Sequence, residues 1–147
     1  MSHLMRKVNI LSRCQTIYKA DRLKEAGLCS WHYNYVIPIC RHPGQSQEEL
    51  ARRVCIDKCN VTRHLARLEE MGYVERKTSD TDKRRTLVYP TEKMMNLLPE
   101  VRKINQEWND YILEGMTPEE VEQLDAALLK IARRAKEYVN SKDEIEE

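Results

Sequence analysis

The sequence predicts a mainly α-helical fold with one small β-hairpin, and three observations lead there. Two capped helical segments lie a few residues apart between Ser46 and Gly72, two β-rich runs with a charged loop follow at once, and apolar stripes of helical spacing flank both. A chain of 147 residues is long enough for a single core, and no stretch of it repeats another.

Near the start, Met5, Val8, Leu11, Cys14, Ile17 and Tyr18 recur at the spacing of one helix face. A second helix carries Trp31, His32, Tyr33 and Tyr35, with Tyr33, Val36, Ile37 and Cys40 spaced as a core stripe. In SQEELARRV, Ser46 can accept hydrogen bonds from free N–H groups, and Glu49 three residues on completes a capping box. Asp57 is a preferred N-cap and opens DKCNVTRHLARLEEMG, which Gly72 can end in the left-handed conformation. Only three or four residues separate these two helices, so they must cross steeply, as a helix-turn-helix does.

Tyr73 to Lys77 and Thr86 to Tyr89 are β-branched or aromatic-rich, and Thr78 to Arg85 between them is polar and charged. The result is a hairpin, or wing, with Asp82-Lys83-Arg84-Arg85 at its tip. Beyond it, Leu98, Val101, Ile104, Trp108 and Tyr111 or Ile112 stripe a long helix from Glu92 to Leu113. Thr117, Pro118 and Glu120 start a last helix, where Val121, Leu124, Leu128, Ile131, Ala135 and Tyr138 make a coiled-coil-like seam. A monomer would leave much of these three helices' apolar surface wet, so the prediction is a winged helix-turn-helix flanked by N- and C-terminal dimerisation helices. A helical hairpin within one chain is the other way to use the seam. The expected divisions are 1–34 for N-terminal dimerisation and linking helices, 35–91 for the winged helix-turn-helix, 92–140 for C-terminal dimerisation helices, and 141–147 for a charged flexible tail.

The second helix of the pair has two faces. Val61, Leu65 and Leu68 fall on one stripe and pack inward, while Cys59, Asn60, Arg63 and Arg67 lie opposite, flanked by Thr62 and His64. No acidic residue occurs from Lys58 to Leu68, although the chain holds 24, and such an arc suits phosphates or is an ordinary solvated face. Arg can bind guanine and Asn adenine, each bidentately, in the major groove. The hairpin favours the nucleic-acid reading, because a ribbon with a basic tip reaches the narrow minor groove, where Arg is electrostatically favoured. Asp82 is expected to orient Arg84 through a bidentate pair, with Lys83 and Arg85 on phosphates. The expected double-stranded DNA surface is Ser46, Gln47, Lys58, Cys59, Asn60, Thr62, Arg63, His64, Arg67, Lys77, Asp82, Lys83, Arg84 and Arg85.

Charge distribution agrees. Residues 1 to 93 carry 18 Lys or Arg against 11 acids, and residues 94 to 147 carry 7 against 13, so a basic reading head hides behind a net charge of +1. With 33% charged residues and a mean hydropathy of -0.71, and no apolar run of the roughly 20 residues that a membrane span needs, a soluble cytoplasmic protein is expected. Five irregularly spaced cysteines argue for reduced thiols. Cys40 with His42, or Cys55 with Cys59, lack a second ligand pair at zinc spacing, so no metal is expected. There is no Gly-rich phosphate loop, and His64 has no triad-like Ser or Asp, so neither an enzyme nor a cofactor is expected.

SQEELARRV, DKCNVTRHLARLEEMGYVERK and DKRRTLVYPTEK resemble the MarR family of bacterial winged-helix transcription regulators, over roughly residues 4 to 140. The family's D-x-R wing signature matches Asp82 and Arg84, and its D-K-x-x-V-x-R opening matches Asp57, Lys58, Val61 and Arg63. Where the family continues L-T-x-K-G, this chain reads Pro90-Thr91-Glu92-Lys93-Met94. The resemblance implies a homodimer, and two-fold-related recognition helices about 34 Å apart would read a pseudo-palindromic operator. It also implies a small aromatic or anionic effector in the crevice between dimer region and reading head, with Cys14, Tyr18, Trp31, His32 and Tyr35 as the expected lining; an ordinary core role suits the same aromatics.

Two alternatives stay open. Cys14 and Tyr18 are similar to the Cys-Tyr arrangement of the family's peroxide-sensing branch, although Ser30 and Trp31 stand where that branch has a second tyrosine. Cys14 also fits the apolar stripe, which favours a buried structural thiol; Cys59, beside Lys58 at a helix's positive end, is the other redox candidate, with simple replacement of the small residue usual in the family as its plainer reading. The second alternative is a winged-helix protein-interaction module using the same face.

Overall fold

A computed structural model describes residues 3–143, of Asp143 only the backbone. The elements follow as α1 (Leu4–Leu23), a single 3-10 turn, α2 (Ser30–Arg41), β1 (Gln45–Ser46), α3 (Gln47–Val54), α4 (Lys58–Glu70), β2 (Val74–Thr78), β3 (Thr86–Pro90), α5 (Glu92–Ile112) and α6 (Pro118–Asp143). The mainly α fold with a hairpin wing and flanking helices is therefore as expected. Two compact units divide the chain, Met1–Trp108 and Asn109–Glu147.

The first unit is built around one apolar cluster. Val36 and Ile39 of α2, Leu50 of α3, Val61, Leu65 and Leu68 of α4, Val88 of β3, and Met94 and Val101 of α5 all reach zero exposure in it. At roughly 1.5–3 kcal/mol for each large aliphatic side chain buried, this contact set holds the helices in register. Met94, where the family motif has a Gly, fills core space. The caps form as predicted: the Glu49 N–H donates to Ser46 Oγ at 3.1 Å, and the Ser46 N–H donates to Glu49 Oε2 at 2.9 Å. Asp57 Oδ1 accepts the Asn60 N–H at 2.9 Å. The turn between α3 and α4 contains a feature without a sequence signal, Cys55 in the left-handed region at φ 55°.

The wing is a three-stranded antiparallel sheet in the order β1-β3-β2, with Arg76 opposite Val88 and Gln45 also opposite Val88 from the other side. Strand β1 escaped the sequence reading because two residues cannot show an alternating pattern. Gly44 leads into it at φ 85°, where an added Cβ would stand 3.2 Å from the Tyr89 hydroxyl. Across the unit, the Tyr33 hydroxyl donates to the Val101 carbonyl at 3.0 Å, and Arg22 meets Glu107 at 2.7 Å, so α5 is tied to both α2 and α1.

The apolar face of α1 is largely uncovered. Met5, Leu11 and Ile17 are exposed, and so is Cys14. The buried structural thiol expected at Cys14 is thus corrected: its position on this stripe is exposed. In the second unit, Thr117 and Glu120 cap α6 reciprocally, at 2.8 and 3.2 Å. Its seam residues Leu124, Leu128, Ile131 and Tyr138 are all exposed. The helix runs on to Asp143, through the first residues assigned to a tail; residues 144–147 lie outside the described residues.

Two outcomes are expected. Ser46→Ala removes an N-cap acceptor and should cost about 1 kcal/mol, read from the urea midpoint. His32 is 2% exposed, and its Nδ1 accepts the Cys29 N–H at 2.8 Å. Burial first, then His64 and Arg67, lowers its pKa from 6.5 to about 4. Between those values the folded state holds fewer protons than the unfolded chain, so this contribution is complete above the ordinary histidine range and fades as pH falls toward 4. The acid-side slope of stability against pH should be shallower in His32→Gln.

Candidate nucleic-acid interface

Burial of Val61, Leu65 and Leu68 turns the opposite arc of α4 outward. Lys58, Cys59, Thr62, Arg63 and Arg67 are exposed there, with Asn60 half-buried. The helix start orients the arc. Asp57 accepts both the backbone N–H and the side-chain amide of Asn60, and Asn60 Oδ1 in turn accepts from the Arg63 guanidinium. These bonds, the backbone one first, hold the Asp57 carboxyl below its usual pKa. Arg63 is thus aimed by a chain of contacts that begins at a helix cap. Thr62 Oγ1 donates to the Lys58 carbonyl at 3.0 Å and accepts from Gln47 at 3.2 Å, which joins the first turn of α3 to the same surface. Arg67 pairs with Glu70 at 3.1 Å, both exposed.

The wing is tied to this surface by carboxylates. Glu49, already part of the Ser46 cap, places its other oxygen 3.1 Å from the Arg85 guanidinium. The Ser46 N–H, followed by the charge and hydrogen bond of Arg85, lowers the Glu49 pKa. Glu69 of α4 accepts from the Arg76 backbone at 2.9 Å and from its guanidinium at 3.1 Å. Arg76 and Glu69 were not foreseen, because a Glu in a last helical turn and an Arg in the next strand have no fixed spacing.

At the tip, the expected bidentate Asp82–Arg84 pair is corrected. One oxygen, Oδ1, accepts the Arg84 backbone N–H at 3.0 Å and lies 3.5 Å from Nε, so the carboxylate shapes the turn and the Arg84 side chain stays 94% exposed. Ser79 closes the loop by donating its N–H to the Arg85 carbonyl at 2.9 Å. Lys83 is exposed, while Lys77 lies over the Tyr89 ring at 5.1 Å and 3.8 Å from Glu75.

His64 departs from its expected place on the DNA-facing surface. Its Nδ1 lies 2.8 Å from the Tyr35 hydroxyl, and its ring stacks on Trp31 with centroids 4.0 Å apart at 22°. The apolar bulk of Trp31 and Tyr35 draws the imidazole back toward α2. Trp31, His32 and Tyr35 therefore form one aromatic group with His64, in which His32 and Tyr35 are buried and Trp31 half-buried. Cys14 and Tyr18 do not join it: Tyr18 packs on Trp108 at 5.0 Å and under Arg22 at 4.7 Å. Among the described residues no hydrogen bond joins Tyr18 to Cys14. All five thiols are free, with Cys59 exposed on the first turn of α4.

Among the described residues, no group of three or more His, Cys, Asp or Glu stands ready for a metal, and no helix is long and apolar enough to cross a membrane. The MarR family model matches residues 32–86. The chain is 30% identical over 118 residues to BilQ, an HTH-type transcriptional regulator of Clostridium symbiosum, covering 80% of this chain and 82% of that one. It is 26% identical over 142 residues to YybA, an uncharacterised HTH-type regulator of Bacillus subtilis, covering 95% of each. A MarR family regulator of Listeria monocytogenes, crystallised with 26mer DNA, superposes at TM-score 0.89 with 28% identity, over 93% of this chain and 91% of that one. Sequence, fold and site agree: the chain belongs to the MarR family of winged-helix transcriptional regulators.

Proposed function

We propose that this chain is a homodimeric repressor that binds a pseudo-palindromic operator and leaves it when a small aromatic or anionic effector binds. The observation that carries the DNA half is the outer arc of α4 from Lys58 to Arg67, which holds no acid, with Arg63 held outward by Asn60, next to a wing whose Arg84 is almost wholly exposed. In this reading Arg63 and Asn60 meet base edges, Lys58, Thr62 and Arg67 steady the phosphate backbone, and Arg84 enters the minor groove. The structure of the Listeria relative with DNA supports the same use of the fold. A second copy accounts for the uncovered apolar faces of α1 and of α6, since exposed stripes of that length are costly in a lone chain.

Three measurements test this. Arg84→Ala should weaken binding to the chain's own upstream duplex about tenfold while sedimentation still shows a dimer; unchanged affinity at physiological salt removes the wing from the mechanism. Arg63→Ala should cost about 1–3 kcal/mol and relax the preference at one base position, read by competition with mutated duplexes. Leu128→Glu should convert the dimer to monomer and reduce binding to the level of a single half-site; a dimer of normal operator affinity would show that α6 is not the interface.

A further inference from the structure

We infer that His64 is a positioning residue that latches the recognition helix to α2 through Tyr35 and Trp31, and that acid opens the latch. The inference rests on α4 being the helix that reads DNA. Tyr35 has no solvent exposure, and burial, then the charge of Asp57, raises its pKa to about 12, so it is a neutral phenol. Its hydroxyl has His64 Nδ1, 2.8 Å away, as its partner among the described residues. A buried O–H with no other acceptor among the described residues is satisfied only if the phenol donates and Nδ1 accepts, the arrangement in which neutral His64 carries its proton on Nε2. Trp31 completes the clamp by stacking on the same imidazole and meeting Tyr35 edge-on, 6.5 Å away at 87°.

This clamp holds the rotation of α4 about its axis. Arg63 and Arg67 flank His64 on the same helix, and bidentate base contacts tolerate only about 10–20° of misalignment. A loosened His64 would move both arginines together. Protonation loosens it, because Nδ1–H must then donate to the phenol oxygen, which reverses the bond and turns the buried O–H away with no other acceptor among the described residues. Around it stand Arg63 and Arg67 on α4, Asp57 at the start of α4, and His32 on α2. Burial first, then Arg63, holds His64 below its usual pKa, with Asp57 opposing. His32, with its pKa near 4, stays neutral through that range. The Trp31 face favours an imidazolium, yet it gives the displaced phenol O–H no acceptor.

The sign of the pH effect separates this role from direct contact. A histidine on phosphates gains charge in acid and tightens binding, whereas a latch histidine weakens it. The test measures anisotropy of the full chain on its specific duplex and on random duplex at about pH 7.5 and about pH 5. The parent should lose about tenfold in specific over random affinity across that interval. His64→Asn, with a non-titrating acceptor in place of Nδ1, should start weaker and show a flat profile. Tyr35→Phe should do the same, with circular dichroism confirming that both remain folded. A His64→Asn profile that follows the parent, or parent binding that tightens in acid, overturns the latch. Absence of specific binding at both pH values overturns the DNA-reading function itself.

Discussion

Val61, Leu65 and Leu68 point into the core without exposed surface, and that burial decides which residues α4 can offer outward. A helix has one rotational degree of freedom about its axis, and three inward anchors on successive turns confine it to the narrow range that the His64 contacts then set. The cap at Asp57 then does locally what the core does globally: it fixes Asn60, and Asn60 fixes Arg63. Losing an anchor such as Leu65 would cost several kcal/mol of the order seen for buried Leu→Ala changes, and would free the outer arc as well.

The wing depends on a different kind of force. Its hairpin strands β2 and β3 share little of the core beyond Val74 and Val88, and carboxylates on the neighbouring helices help to place them. Glu49 holds Arg85 and Glu69 holds Arg76, so two ends of the ribbon are tied to α3 and α4. Exposed ion pairs contribute little to stability, and half-buried Arg76 contributes more through its bonds to Glu69 and its 3.5 Å contact to Gln47. Their effect is on placement, and it leaves Arg84 as the side chain carried furthest into solvent.

Local chemistry made most of this legible from sequence. Ser46 with Glu49, Asp57, and Thr117 with Glu120 declare helix starts within four residues, and the stripes of α4 and α5 declare their buried sides at a fixed period. What the sequence hid depends on contacts between distant segments. His64 looked like one more polar residue on the outer flank of α4, because nothing in its own neighbourhood announces that Trp31 and Tyr35 lie across from it. Arg76 and Arg85 looked like free charges until their partners on other elements were seen. Cys55 occupies a left-handed turn position usually given to Gly, so its conformation followed from the packing of α3 on α4 rather than from its residue type.

The carboxylates that place the basic side chains also serve as their counterions. Arg67, Arg76 and Arg85 each sit within 3.1 Å of a Glu oxygen in the chain alone. A phosphate that takes the Arg85 nitrogen now bound to Glu49 displaces that carboxylate, where for a bare arginine it would displace dissolved ions. The dependence of binding on salt therefore counts fewer released ions than the number of basic groups on the surface. The reading head holds part of its ionic atmosphere within its own covalent structure.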